Sequence, residues 1–169
     1  MERKYVKALN FDLDTHQLKK HYPGRKQNMN PTEVLKNYFG YDTFRPGQEK
    51  IIGAILSGRD ALAIMPTGAG KSVCYQVPAL MLPGITLVVS PLISLMQDQV
   101  KALNDAGVHA AFINSALTEG QIRKALSLAA QGVYKIIYVA PERLESWEFL
   151  DFATHTEISM VTVDEAHCI

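Results

Sequence analysis

Short apolar runs rich in Val and Ile recur along the chain at residues 61–65, 85–90, 109–114, 135–139 and 159–163. Between them lie stretches whose apolar residues return at helical spacing, at 71–82, 93–106 and 118–131. Runs that stay apolar at consecutive positions suit strands buried on both faces, and the periodic stretches suit helices that cover them. The alternation predicts an α/β fold: a parallel sheet with helices on both faces. Such sheets hold ligands at the carboxyl ends of their strands. Residues just after each apolar run are therefore the first candidates for chemistry.

Local signals add detail. Asn30 as N-cap, Pro31 in the first turn, Glu33 completing a capping box and Gly40 as a stop predict a helix over 30–40. A second helix is predicted from near Pro46 to Gly58, burying Ile51, Ile52, Ile55 and Leu56. Thr118 with Gln121 forms another box at the head of 118–131. Residues 1–28 fall outside the rhythm: 5–11 read as one strand, 15–22 as a short polar helix and 23–28 as a loop. The predicted division is an extension over 1–28 and a domain over 29–169, with Met29 just ahead of the first capped helix.

Composition narrows the class. A length of 169 residues suits one domain, and 47% hydrophobic with 20% charged residues reads as soluble and globular. No apolar run reaches the roughly 18 residues of a membrane helix, and the basic start lacks the apolar core of a secretory signal. Cys74 and Cys168 have no framework spacing and read as reduced thiols, which favours a cytoplasmic setting. The five histidines do not group with cysteines at zinc spacing. The net charge of zero is split: residues 1–30 carry seven Lys/Arg against three Asp/Glu, and the remainder ten against fourteen. Any nucleic-acid contact by the main body would use local, placed donors and not a global basic field.

Two motifs carry chemistry. The first, Met65-Pro66-Thr67-Gly68-Ala69-Gly70-Lys71-Ser72, leaves an apolar strand and opens a helix, the setting of a phosphate loop. Gly68 and Gly70 let backbone N–H groups close around phosphate oxygens without a Cβ in the way. The helix start at Lys71 turns its positive dipole end toward the anion. Lys71 is then placed for the outer phosphates of ATP and the Ser72 hydroxyl for Mg²⁺. Met65 stands where the general motif has glycine. The second motif, Asp164-Glu165-Ala166-His167, follows the last apolar run, 93 positions after Lys71. Asp164 is a candidate to hold Mg²⁺ opposite Ser72, and Glu165 to orient and deprotonate the attacking water. The catalytic candidates are thus Lys71, Asp164 and Glu165, the ATP-binding set includes Thr67 through Ser72, and the metal ligands are Ser72 and Asp164.

With these motifs in hand, residues 34–169 resemble the RecQ-type DNA helicases. Tyr38-Phe39-Gly40-Tyr41-Asp42-Thr43-Phe44-Arg45-Pro46-Gly47-Gln48 is similar to that family's adenine-reading motif. The resemblance implies that Tyr41 and Arg45 flank the adenine ring and that Gln48 bonds its edge. A guanidinium and an aromatic ring suit a purine face. Val89-Ser90-Pro91-Leu92-Ile93-Ser94-Leu95-Met96-Gln97-Asp98-Gln99 resembles the next family motif, which touches the DNA backbone. Ser90 and Ser94 are its candidate donors to phosphate or sugar; most of the same stretch also reads as a helix cap with Leu92, Leu95 and Met96 as core. Asn114, and Arg143 within Ala140-Pro141-Glu142-Arg143-Leu144, sit at the ends of further strands and resemble later DNA-tracking motifs. Arg143 has two readings, contact with phosphate or pairing with Glu142 or Glu145.

The resemblance implies a RecA-like, P-loop NTPase sheet as the first helicase lobe, with ATP and Mg²⁺ as cofactors, DNA as partner and no membrane. It implies 3′→5′ unwinding by the intact protein, roles in DNA repair and recombination, and a cytoplasmic, nucleoid-associated location. It also implies that a further strand, lying between the phosphate-loop strand and the acidic-motif strand, and a second lobe carrying an arginine finger come after residue 169. The expectation is therefore an incomplete lobe with a gap in its sheet, inactive by itself. Tyr5-Val6-Lys7-Ala8-Leu9-Asn10-Phe11-Asp12-Leu13-Asp14 resembles the first strand of the virulence-associated protein D family, small RNA-cleaving proteins, and alternatively is an unrelated basic extension. A nucleotide-binding module without catalysis and a fusion with an RNA-processing protein are the other two readings.

Overall fold

The computed structural model describes residues 4–9, 29–66 and 68–166, with the backbone alone for 4–9. The predicted helix at 15–22 and loop at 23–28 lie outside the described residues, as do Thr67 and His167.

The capped helix is present as α1 (Pro31–Phe39). Asn30 Oδ1 accepts from Glu33 N at 2.9 Å, Glu33 returns a bond to Asn30 N at 2.8 Å, and Gly40 closes the helix in the left-handed region. Helix α2 (Gln48–Leu56) begins two residues after Pro46 and buries Gln48, Ile52 and Ile55, while Ile51 and Leu56 are half-buried. The alternation then runs β2 (Ala61–Met65), α3 (Lys71–Met81), β3 (Ile85–Val89), α4 (Ile93–Asp105), β4 (Ala110–Ile113), α5 (Glu119–Ala130), β5 (Ile136–Val139) and β6 (Ile158–Asp164). The box at Thr118 and Gln121 caps α5. Two elements had no counterpart in the sequence reading: a 3-10 turn at Pro141–Arg143 and helix α6 (Trp147–His155).

Strand β1 (Lys4–Leu9) comes first in the chain. The sheet order is β2-β1-β6-β3-β5-β4. Strands β6, β3, β5 and β4 pair in parallel, as the alternation predicts. Strand β1 is antiparallel to both its neighbours, so β2 and β6 run the same way on either side of it. The sheet is therefore mixed. The expected gap between the phosphate-loop strand and the acidic-motif strand is corrected as well, because β1 occupies that place. The physical reason is that both flanking edges present rows of N–H and C=O groups that cost free energy if buried without partners. A strand between them pairs both rows.

Two apolar layers clothe the sheet. On one face Val88, Tyr138 and Met160 pack with Cys74, Tyr75 and Ala79 of α3 and with Met96, Val100 and Leu103 of α4. On the other, Leu87, Val89, Ile137 and Ile113 pack with Ile122 and Leu126 of α5 and Phe149 and Phe152 of α6. Every residue of β3 and β5 is buried, whereas β6 alternates, with Met160, Thr162 and Asp164 on the α3 side. That alternation carries Asp164 to the face beneath the phosphate-loop helix.

Candidate functional site

The chain leaves β2 at Met65, turns at Gly68–Gly70 and enters α3 at Lys71. Gly70 is the N-cap with φ 76°, and no side chain caps the first turn, so that helix start offers backbone N–H groups to an anion. Ala69 N donates to Pro66 O at 3.2 Å and Val73 N to Gly70 O at 3.2 Å, which closes the loop on itself. Lys71 is the first residue of α3, and its ammonium lies out of solvent contact. Ser72 sits in the same turn.

A second layer of polar contacts braces this loop from α2. Gln48 is only 2% exposed. Its Oε1 accepts from Arg45 N at 2.8 Å, and its Nε2 donates to Gly70 O at 2.9 Å and Ala69 O at 3.3 Å. The Arg45 guanidinium donates to Gly68 O. The two polar residues expected at the adenine are thus brought to the phosphate loop, with their donors on its carbonyls. Tyr41, the expected stacking ring, is 52% exposed on the surface nearby in sequence. A Cβ on Gly70 would stand 2.6 Å from Gln48 Nε2, so a side chain there would displace that amide in addition to straining the positive φ.

Strand β6 ends at Asp164, and both Asp164 and Glu165 are buried. Asp164 Oδ1 accepts from Glu165 N at 3.0 Å. Glu165 has φ 54°, the one non-glycine residue with positive φ among the described residues. Such a conformation costs about 1–3 kcal/mol and persists where surroundings enforce it, most often at functional sites. Burial first, and then the neighbouring Tyr138 and the charge of Asp164, push the proton affinity of the Tyr75 phenol well above its ordinary value. Ser72 on α3 and Asp164 at the end of β6 are hard oxygen donors on two elements that pack together, a pair that fits Mg²⁺. No cluster of three or more His, Cys, Asp or Glu exists among the described residues. Mg²⁺ is commonly held by one or two protein oxygens plus substrate phosphates and water.

The four residues predicted to touch DNA divide by burial. Ser94, in the first turn of α4, is exposed, and Arg143, in the 3-10 turn after β5, is half-buried. Ser90 and Asn114 are 1% and 0% exposed. Asn114 Oδ1 accepts from Ala116 N at 3.0 Å and so shapes the turn after β4. Ser90 continues β3, with its N–H donating to Val139 O at 3.1 Å. All four stand at or just beyond the carboxyl edge of the sheet.

Sequence reasoning missed a buried polar group between the two motifs. Tyr75 and Tyr138 share a hydroxyl–hydroxyl bond of 3.1 Å, Gln76 Nε2 donates to Tyr138 at 3.2 Å and also to Gln99 Oε1 at 3.0 Å. Burial is the main cause that lifts the Tyr138 phenol to about 12. The available signal was a tyrosine inside the apolar run of β5 and a glutamine on the buried side of α3.

Comparison with known proteins agrees with these motifs. The family described as DEAD/DEAH box helicase matches residues 45–169. The chain is 50% identical over 137 residues to the ATP-dependent DNA helicase RecQ of Bacillus subtilis, covering 80% of this chain and 23% of that protein. It is 48% identical over 136 residues to RecQ of Haemophilus influenzae, covering 80% and 22%. It is 46% identical over 141 residues to ATP-dependent DNA helicase Q-like 5 of Arabidopsis thaliana, covering 83% and 15%. The chain spans less than a quarter of the length of these curated relatives.

Proposed function

The chain belongs to the DEAD/DEAH box helicase family, beside its RecQ-type DNA helicases, and from that premise we propose that it is the ATP-binding part of a DNA helicase in which hydrolysis drives 3′→5′ unwinding. The observation that carries the proposal is the packing of the phosphate-loop helix α3 against β6, the strand that ends at Asp164. In this reading Lys71 holds the outer phosphates, and its placement at the head of α3 adds the helix dipole to its charge. Ser72 and Asp164 hold Mg²⁺, which supplies charge neutralisation on the phosphate oxygens. Glu165 positions the attacking water and takes its proton, held in place by its strained backbone. Gln48 and Arg45 belong to the same site through the loop carbonyls they bond; reading of adenine by Tyr41, Arg45 and Gln48 is part of the proposal, as is a contribution from Thr67.

Contact with DNA is proposed for Ser94 and Arg143 directly, and for Ser90 and Asn114 through the turns they hold. Residues 29–169 form the nucleotide-binding lobe in this reading, working in the cytoplasm at the nucleoid. No helix among the described residues is long and apolar enough to cross a membrane. The test is titration with a fluorescent ATP analogue. A charge-assisted contact is worth about 1.5–3 kcal/mol, so Lys71→Ala is expected to weaken binding about tenfold or more. Equal affinity in the two proteins refutes the assignment.

A further inference from the structure

The registers of β6, β3 and β5 fix which side chains stand in a row at the carboxyl edge of the sheet. On the face covered by α3 and α4, Val88 of β3 lies beside Thr162 of β6 and Tyr138 of β5. The next pairs, Val89 with Val163 and with Val139, turn to the opposite face. One step further, the same registers bring Ser90 back to the α3 side, between Asp164 and Ala140. Strand pairing continues at that step, because Ser90 N donates to Val139 O at 3.1 Å. Neighbouring strands lie about 4.8 Å apart, so Ser90 stands directly beside Asp164 on one face. All three residues are buried, with Ser90 1% exposed. The Ser90 hydroxyl has no hydrogen-bond partner among the described residues. A buried hydroxyl costs free energy unless it is bonded, and alanine would fill the same place without that cost. Ala140 beside it and Val88 behind it on its own strand carry no polar side-chain atom. Of these three in-sheet neighbours, Asp164 alone can share a ligand with Ser90.

We propose that the Ser90 hydroxyl hydrogen-bonds the water shell of the Mg²⁺ ion that Asp164 holds, and so fixes that shell at the nucleotide site. The inference rests on the assignment of Asp164 as a metal ligand. Mg²⁺ sheds water reluctantly and keeps several waters when bound. A serine hydroxyl has two acceptor lone pairs and one proton, so it can take a bond from such a water and still donate one. Outer partners of this kind orient a metal's ligands and raise its affinity. Ser90 is a positioning residue, because it acts through water and not on the reacting atoms. Its backbone holds the turn after β3 whichever side chain it carries, so the role of the hydroxyl can be separated from that of the turn.

The test compares the 169-residue chain with its Ser90→Ala and Ser90→Cys variants. Three quantities are read: the urea midpoint without ligand, the affinity for a fluorescent ATP analogue without Mg²⁺, and the factor by which Mg²⁺ raises that affinity. Alanine removes the oxygen; cysteine keeps the volume and offers only a weak donor and acceptor. Both variants are expected to keep the urea midpoint or raise it, since a hydroxyl without a partner stabilises nothing in the ligand-free chain. Both are expected to keep the Mg²⁺-free affinity while the Mg²⁺ factor falls about tenfold. A midpoint lowered in both variants means that the hydroxyl already braces the fold, and overturns the inference. Asp164→Asn and Ser72→Ala separate the inference from the reading beneath it. If either abolishes the Mg²⁺ factor while both Ser90 variants keep it in full, the role of Ser90 is overturned and the metal site stands. If the parent chain shows no Mg²⁺ factor, or both Asp164→Asn and Ser72→Ala retain it, the metal assignment falls, and the role of Ser90 with it.

Discussion

Gly70→Ala tests whether Gln48 braces the phosphate loop. The substitution acts through two separable effects. Alanine at φ 76° pays the left-handed penalty of about 1–2 kcal/mol. Its Cβ also stands 2.6 Å from Gln48 Nε2, closer than any ordinary contact. The amide is the end of a flexible side chain, so it gives way, and its 2.9 Å bond to Gly70 O is lost. A lost hydrogen bond costs about 0.5–1.5 kcal/mol. Gly70→Ala is therefore expected to lower stability by about 2–3 kcal/mol in the parent chain. In a Gln48→Ala background the clash and the bond are both absent, and the cost falls to about 1–2 kcal/mol, the backbone share alone. The coupling in this double-mutant cycle is then about 1 kcal/mol. Urea unfolding at constant m gives all four midpoints. Equal costs of Gly70→Ala in the two backgrounds refute the claim that Gln48 holds the loop.

Removal of residues 1–10 takes away β1 and is expected to lower the urea midpoint and to strip hydrogen-exchange protection from residues 61–65, since β1 is the sole sheet neighbour of β2 among the described residues. Undiminished protection there counts against the strand order. Cys74 is fully buried and its thiol is pushed up to about 11 by burial. Alkylation of the folded chain near pH 8, mapped by mass, is expected to spare Cys74 until denaturant is added; labelling at the rate of a free thiol contradicts the packing of α3.

What the sequence revealed was what it encodes locally. The Asn30–Glu33 and Thr118–Gln121 boxes involve residues three apart, and both helices begin where those pairs predict. The five apolar runs became strands because each is self-contained in its burial pattern. Helix α6 escaped notice because its nine residues offer only Phe149 and Phe152 as buried positions, too short a stripe to mark a period. The site was legible where one segment carries it, as in the phosphate loop. Contacts between segments were not. The Gln48–Gly70 bond spans 22 positions and the Tyr75–Tyr138 bond spans 63, and nothing in either segment alone names its partner. The strand at 5–11 was legible but its place in the sheet was not, for the same reason: a strand's neighbours are fixed by the whole sheet.

The position of β1 also sets an order of assembly. Its ladder to β2 joins Val6 with Ala63, a separation of 57 positions, and its ladder to β6 joins Val6 with Asp164, a separation of 158. Closing the longer loop costs about 0.9 kcal/mol more in chain entropy. Synthesis runs from the N-terminus, so β1 and β2 are available as a pair well before β6 exists. The phosphate-loop strand therefore waits on the ribosome with one partner, and the acidic motif docks onto a ladder already made. Folding rate should accordingly be limited by the arrival of β6, the most distant contact in the sheet.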